Sequence, residues 1–171
     1  MIQETSKDYT FDDFKQDCYA FNEIAGKDAQ ASLKSMLQQL ALIEEEVQEI
    51  KEGLHENNVL ETLDGVVDVL VVTLGMLQKL EALGVDTTKA LKDTAENNLT
   101  KYPADIATAV ASQKYLAKQG VEATVEYNPK YDLYVLKDKQ QKVRKPWCFQ
   151  SNDLTECIPV QLMLDGFEDE Y

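Results

Sequence analysis

The chain reads as a mainly α-helical bundle with a small C-terminal β-hairpin appended to it. Two observations predict this. Long segments carry apolar residues at alternating steps of three and four, the spacing of one helix face. After Gly120 the period changes to strict alternation, which belongs to strands. A third observation is permissive: the 171 residues are 44% hydrophobic and 28% charged, enough apolar material for a core. The change of period sets the expected division, with residues 1–120 as a helical domain and 121–171 as a hairpin and tail packed on it.

The first helix is expected through Phe11, Phe14, Cys18, Phe21 and Ala25, with Thr10 and Asp13 as a capping box and Gly26 at its end. A second is expected from Leu33 to Leu54. Its apolar seam is Leu33, Met36, Leu37, Leu40, Ile43, Val47, Ile50 and Leu54, and Gly53 with the following polar residues stops it. The segment Val59–Leu83 is rich in valine, which favours strands. Its length without a turn signal exceeds ordinary strands, so it is read as a helix apolar nearly all round. Asp86 suits the cap of a fourth helix reaching Leu99. Pro103 suits the first turn of a fifth, ending at Gly120. Val121, Ala123, Val125 and Tyr127 alternate, as do Tyr131, Leu133 and Val135, giving a hairpin around Asn128-Pro129-Lys130, with a short strand near Val143. The acidic stretch 166–171 reads as a loose tail.

The formal net charge is −14, which opposes approach to nucleic acid or an anionic membrane. No apolar run is long enough to span a bilayer, and the N-terminus is polar, so no signal peptide is expected. Cys18, Cys148 and Cys157 form no CxxC pair, which argues against a disulfide framework or a zinc ribbon. A cytoplasmic protein is the expectation.

Acidic residues concentrate on two neighbouring helices. On the second, Glu45, Glu46 and Glu49 stand at spacings of three and four, so their oxygens share one patch; Lys51 is the one basic residue near enough to pair with them. On the third, Asp64 and Asp68 interrupt an otherwise apolar helix. A buried carboxylate without a partner costs several kcal/mol or loses its charge. Lys101 or Arg144 could neutralise Asp64 and Asp68 structurally. A cation held between the two helices is the stronger explanation, because the short link 54–58 makes them an antiparallel pair. Carboxylates without histidine select a hard cation: Mg²⁺, Mn²⁺ or Ca²⁺ rather than zinc or copper. His55 is the only histidine and sits at a helix end, where it caps more readily than it ligates.

These residues resemble a known family. Glu45-Glu46-Val47-Gln48-Glu49, followed by Asp64-Gly65-Val66-Val67-Asp68-Val69-Leu70, is similar to the ExxE…ExxD pattern of the MazG-like nucleotide pyrophosphohydrolases. Asp64 stands four residues before Asp68 where the common form has Glu three before. The alternative register, Glu61-x-x-Asp64, leaves Asp68 without a role. Asn98-Leu99-Thr100-Lys101 resembles the family's NxSK-like motif. Tyr134-Val135-Leu136, Lys142-Val143-Arg144-Lys145 and Asn152-Asp153-Leu154 resemble its C-terminal stretch. Phe21-Asn22-Glu23-Ile24-Ala25-Gly26 resembles its FHxAxG segment, with Asn22 where His is common.

The resemblance implies an all-α nucleoside triphosphate pyrophosphohydrolase that releases pyrophosphate and a monophosphate, weakly favouring purine deoxynucleotides. It implies Mg²⁺ as cofactor, with Mn²⁺ able to substitute, held by Glu45, Glu46, Glu49, Asp64 and Asp68. Glu46 and Glu49 become the catalytic carboxylates. Asn98, Lys101, Lys142, Lys145 and Asn22 become substrate-binding residues, and the chain a homodimer or homotetramer, of bacterial or phage type. A phosphoribosyl-ATP pyrophosphohydrolase is the nearer enzymatic rival. A non-enzymatic acidic protein, such as a DNA mimic, or a helical calcium-binding or adaptor module are the others. A mimic gains nothing from Asp68 inside an apolar helix, and the basic run Lys137, Lys139, Lys142, Arg144 and Lys145 fits it poorly.

Overall fold

The computed structural model describes residues 8–27 and 31–167. The chain is mainly helical, with one small antiparallel sheet among the described residues. It divides into two compact units: Met1–Thr87 with Cys157–Tyr171, and Thr88–Glu156. The units therefore do not part at residue 120, where the hydrophobic period changes. The fifth helix packs on both strands of the hairpin, which keeps it with them rather than with the preceding helices.

In the first unit, α1 (Phe11–Ile24) begins at the expected capping box. The Thr10 hydroxyl accepts from the Asp13 N–H at 3.2 Å, and the Thr10 N–H donates to the Asp13 carboxylate at 2.8 Å. Helix α2 (Leu33–His55) begins at a second box, formed by Ser32 and Ser35. Helix α3 (Val59–Ala82) is capped by Asn58, whose side chain accepts from the Glu61 N–H. The long valine-rich segment is thus helical: length prevails over strand propensity, because tertiary packing overrides a weak local preference. Gly53 does not stop α2. It is buried inside the helix, and the chain turns at Asn57, whose φ of 54° is left-handed.

Helices α2 and α3 pack as an antiparallel pair. Two helix-interior glycines bring them close. A Cβ on Gly53 would meet the Thr62 backbone nitrogen at 2.8 Å, and one on Gly65 would meet Ile50 Cγ1 at 2.9 Å. Further along, the Gln39 side chain donates to the Val72 carbonyl at 2.8 Å. α1 lies along the C-terminal half of α3: Asn22 donates to Gln78 at 2.9 Å, and Lys15 pairs with Glu81 at 3.1 Å. The same unit contains a short helix that the period did not announce, α6 (Val160–Asp165), preceded by a 3₁₀ turn over Thr155–Cys157. The Asp86 N–H donates to the Cys157 carbonyl at 2.8 Å. All but the first two residues of the acidic tail lie outside the described residues.

The second unit holds most of α4 (Thr87–Leu99), then α5 (Ile106–Lys118) and the hairpin β1 (Ala123–Asn128) with β2 (Leu133–Asp138). Helix α5 starts at Ile106 under an Asp105 cap rather than at Pro103, which is buried ahead of it and accepts from the Tyr134 N–H through its carbonyl. The strands start two residues later than the alternation suggests, with Asn128 opposite Leu133 and Tyr131 inside the turn. The strand expected near Val143 is a single bridge to Lys137.

Candidate functional site

The acidic residues sit where the α2–α3 register places them. Gly65 abuts Ile50 and the Glu46 carbonyl, so the Glu46–Glu49 turn of α2 lies beside the Gly65–Asp68 turn of α3. At 100° per residue, Glu45 and Glu49 flank the α3-facing stripe of α2 on one side. Asp64 and Asp68 flank the α2-facing stripe of α3 on that same side. The absence of a side chain at Gly65 lets the two backbones approach at this level, which shortens the span between the carboxylates.

Glu46 records the result. Its carboxyl is pushed above the ordinary value of 4.5, first by partial removal from water and then by the like charges of Glu49, Asp68, Glu45 and Asp64. The other four sequence-derived carboxylates therefore all act on Glu46. Glu61 sits at a different level, in the first turn of α3 beside Gly53, and its N–H is engaged by the Asn58 cap.

Among the described residues, no lysine or arginine forms an ion pair with any of the five. Arg144, a candidate partner by sequence, pairs with Asp138 at 2.5 Å. Lys101, the other candidate, donates to Asn98 at 2.6 Å. No three His, Cys, Asp or Glu side chains among the described residues converge closely enough to ligate one ion. Four carboxylates thus bear on Glu46 without the five sharing a coordination shell. All-oxygen donors are the kind that Mg²⁺ or Mn²⁺ takes, but in this arrangement the five do not form a site for one ion.

The other sequence-derived candidates are placed differently. Asn22 belongs to the same unit as the carboxylates, but its amide lies against Gly75, about two turns along α3 from Asp68, and bonds Gln78. Asn98, Lys101, Lys142 and Lys145 belong to the second unit. Asn98 and Lys101 hold each other at the end of α4. The Lys142 N–H donates to Asp138 at 2.9 Å, and the Lys145 ammonium stands 4.5 Å from the centre of the Phe149 ring.

Sequence reasoning missed the polar residues that fix α1, α2 and α3 to one another. Gln39 and Gln78 are buried, and Glu81 accepts from both Lys15 and Thr87. Lone glutamines on amphipathic helices carry no signal of burial. Gly65 was legible in principle: glycine inside a helix is unfavourable, and close backbone approach is one reason to keep it. No protein-family model, curated protein or solved structure matches this chain.

Proposed function

We propose that this protein is a metal-dependent nucleoside triphosphate pyrophosphohydrolase of the MazG-like kind, acting at the acidic side of the α2–α3 pair. The observation that carries the reading is the field around Glu46, where four further carboxylates from two helices crowd one group. No basic side chain of the described chain pairs with them. Like charges gathered at this spacing oppose folding unless something neutralises them.

In this reading Glu45, Glu46, Glu49, Asp64 and Asp68 would draw together from their present separation to hold Mg²⁺, or Mn²⁺ in its place. The ion would supply the positive charge that lets a triphosphate approach an acidic surface, and Lewis acidity at phosphorus. The chain's own contribution is positioning and proton transfer. Glu46 suits the general base: its raised affinity for a proton lets an Oε atom take one from the attacking water. Glu49, one turn on, orients that water or takes over the role. Attack at the α-phosphorus forms a P–O bond to the monophosphate and breaks the bond to the bridging oxygen. Pyrophosphate leaves with that oxygen, and the water's second proton passes to solvent. Lys101, Lys142, Lys145, Asn98 and Asn22 are the substrate-binding residues of this reading, purine deoxynucleotides its weakly favoured substrates, and a homodimer or homotetramer in a bacterial or phage-infected cytoplasm its expected form.

The test is a panel of eight nucleoside triphosphates and phosphoribosyl-ATP with Mg²⁺, scoring pyrophosphate and monophosphate together. Turnover of at least one nucleotide is expected, with a loss of about 100-fold or more in Asp68→Asn, the scale of a removed transition-state charge contact. Turnover of phosphoribosyl-ATP alone would move the protein to that rival activity. No pyrophosphate release from any substrate would remove the enzymatic reading.

A further inference from the structure

Strand β2 carries apolar residues on both of its faces, and only one face is packed by a helix. Residues paired across antiparallel strands project to the same side. The register sets Tyr134, Leu136 and Asp138 on one face, and Asn128, Leu133, Val135 and Lys137 on the other. The first face is covered: Leu136 is fully buried, and α5 packs on both strands. The second faces a cavity of about 390 Å³ with no α5 residue in its lining. Its remaining walls come from the ends of elements. Tyr102 precedes Pro103, whose carbonyl accepts from the Tyr134 N–H at 2.8 Å. Val143 is brought up by its bridge to Lys137 and by the Arg144 N–H, which donates to the Leu136 carbonyl at 2.8 Å. Leu99, at the end of α4, and Tyr131, in the hairpin turn, complete the lining; they are exposed by 64% and 63%. The whole lining belongs to the unit Thr88–Glu156.

The lining selects the chemistry of a ligand. The volume lies in the range of about 300–1,000 Å³ that small-molecule sites occupy, and such sites are mostly apolar with a few polar groups. Leu99, Leu133, Val135 and Val143 supply the apolar surface. Tyr102 and Tyr131 add two rings, and a ring prefers a second aromatic ring offset or edge-on to it. The Lys130 ammonium stands 5.1 Å from the centre of the Tyr131 ring, a cation–π contact that steadies the ring. Lys137 is the one charged side chain in the lining, and Glu126, on the same face of the sheet, pairs with it at 2.6 Å. A charged ligand would give up hydration there with no counter-charge to replace it. The Asn128 side-chain oxygen already accepts from the Lys130 N–H at 3.1 Å. A ligand rich in donors and acceptors would therefore leave several of them unmatched.

We infer that the cavity on the Leu133–Val135–Lys137 face of the hairpin is a binding site for an uncharged aromatic molecule with few hydrogen-bonding groups. It is independent of the enzymatic reading, whose carboxylates belong to the other unit and which is scored by turnover. The test is a titration of the ¹⁵N-labelled full chain with 2-naphthol, followed by two-dimensional NMR. The amides of Tyr102, Tyr131, Val135 and Val143 are expected to shift along one saturable curve, with a dissociation constant below about 1 mM. Decahydro-2-naphthol, the same skeleton without its aromatic rings, should bind about fivefold more weakly. The anion 2-naphthalenesulfonate and the polar nucleoside adenosine should each bind at least about tenfold more weakly. Tyr131→Ala should weaken 2-naphthol about fivefold and leave the amide pattern of α5 unchanged. Should that variant disturb the hairpin, Leu99→Ala, at the other exposed wall residue, carries the same expectation. Absence of saturable binding, or shifts confined to α2 and α3, would overturn the inference. So would equal affinity for the saturated, anionic or nucleoside probe, or a wall variant that binds as the wild type does.

Discussion

Glu46 and Asp138 show how similar carboxyl groups take opposite parts in one chain. The Glu46 carboxyl is raised above 4.5 by partial burial and by Glu49, Asp68, Glu45 and Asp64, so its charge counts against the folded state. That cost appears as pH rises through 4.5 and is complete above the folded value. Glu46→Gln is therefore expected to raise Tm at neutral pH in the presence of a chelator, while Mg²⁺ no longer raises it further. The Tm difference should vanish below pH 4.5. An unchanged or lower Tm for the variant at neutral pH would mean that the like charges are not felt. At Asp138, burial pushes the carboxyl up. The Lys142 N–H, the Arg144 side chain and the Gln140 N–H outweigh it and hold the group below 3.8. Its contribution favours folding above pH 3.8 and is lost as pH falls through the folded value. The Tm gap between wild type and Asp138→Asn should be widest near neutrality and narrow below pH 3.8; a gap independent of pH would contradict this. None of this was visible at Asp138 in the sequence, because the turn that gathers its partners is set by Gln141, at a φ of 63°, and not by any glycine.

At the scale of elements, the glycines of the α2–α3 pair decide how near the acidic turns can come. Gly53→Ala places a methyl 2.8 Å from the backbone nitrogen of Thr62, and backbone cannot rotate away as a side chain can. Overpacking of this kind costs about 1–3 kcal/mol, and it outweighs the gain of up to about 1 kcal/mol that alanine brings to a helix interior. A lower Tm is expected by thermal melting; a higher Tm would mean that the helices separate without cost. Helix existence was legible in the sequence because caps and periodicity are local: Thr10 with Asp13 and the Val59–Ala82 run each carry their own signal. Helix surroundings were not. Apolar spacing at Leu37, Leu40, Val47 and Leu54 predicts an apolar face, and the chain leaves that face exposed, since periodicity is silent on what covers it. Gly53 was misread as a stop for a related reason. A glycine that ends a helix and one that admits a neighbouring backbone look alike until the partner is known.

Over the whole molecule, the neighbourhood of the five carboxylates was legible because acidic residues at helical spacing, joined by a short link, come near Glu46 in a helical pair; their convergence on one ion was expected and is not found among the described residues. Their company was not: the binding residues expected from Asn98, Lys101, Lys142 and Lys145 stand in the other compact unit, and sequence order does not report which packing unit a residue joins. Hydrolysis of a nucleotide in ¹⁸O-labelled water, with Mg²⁺ and mass analysis of both products, tests the central claim most directly. Attack at the α-phosphorus predicts one heavy oxygen in the monophosphate and none in the pyrophosphate, with incorporation abolished by Asp68→Asn. Label in the pyrophosphate, stepwise release of orthophosphate, or incorporation indifferent to Mg²⁺ would contradict it.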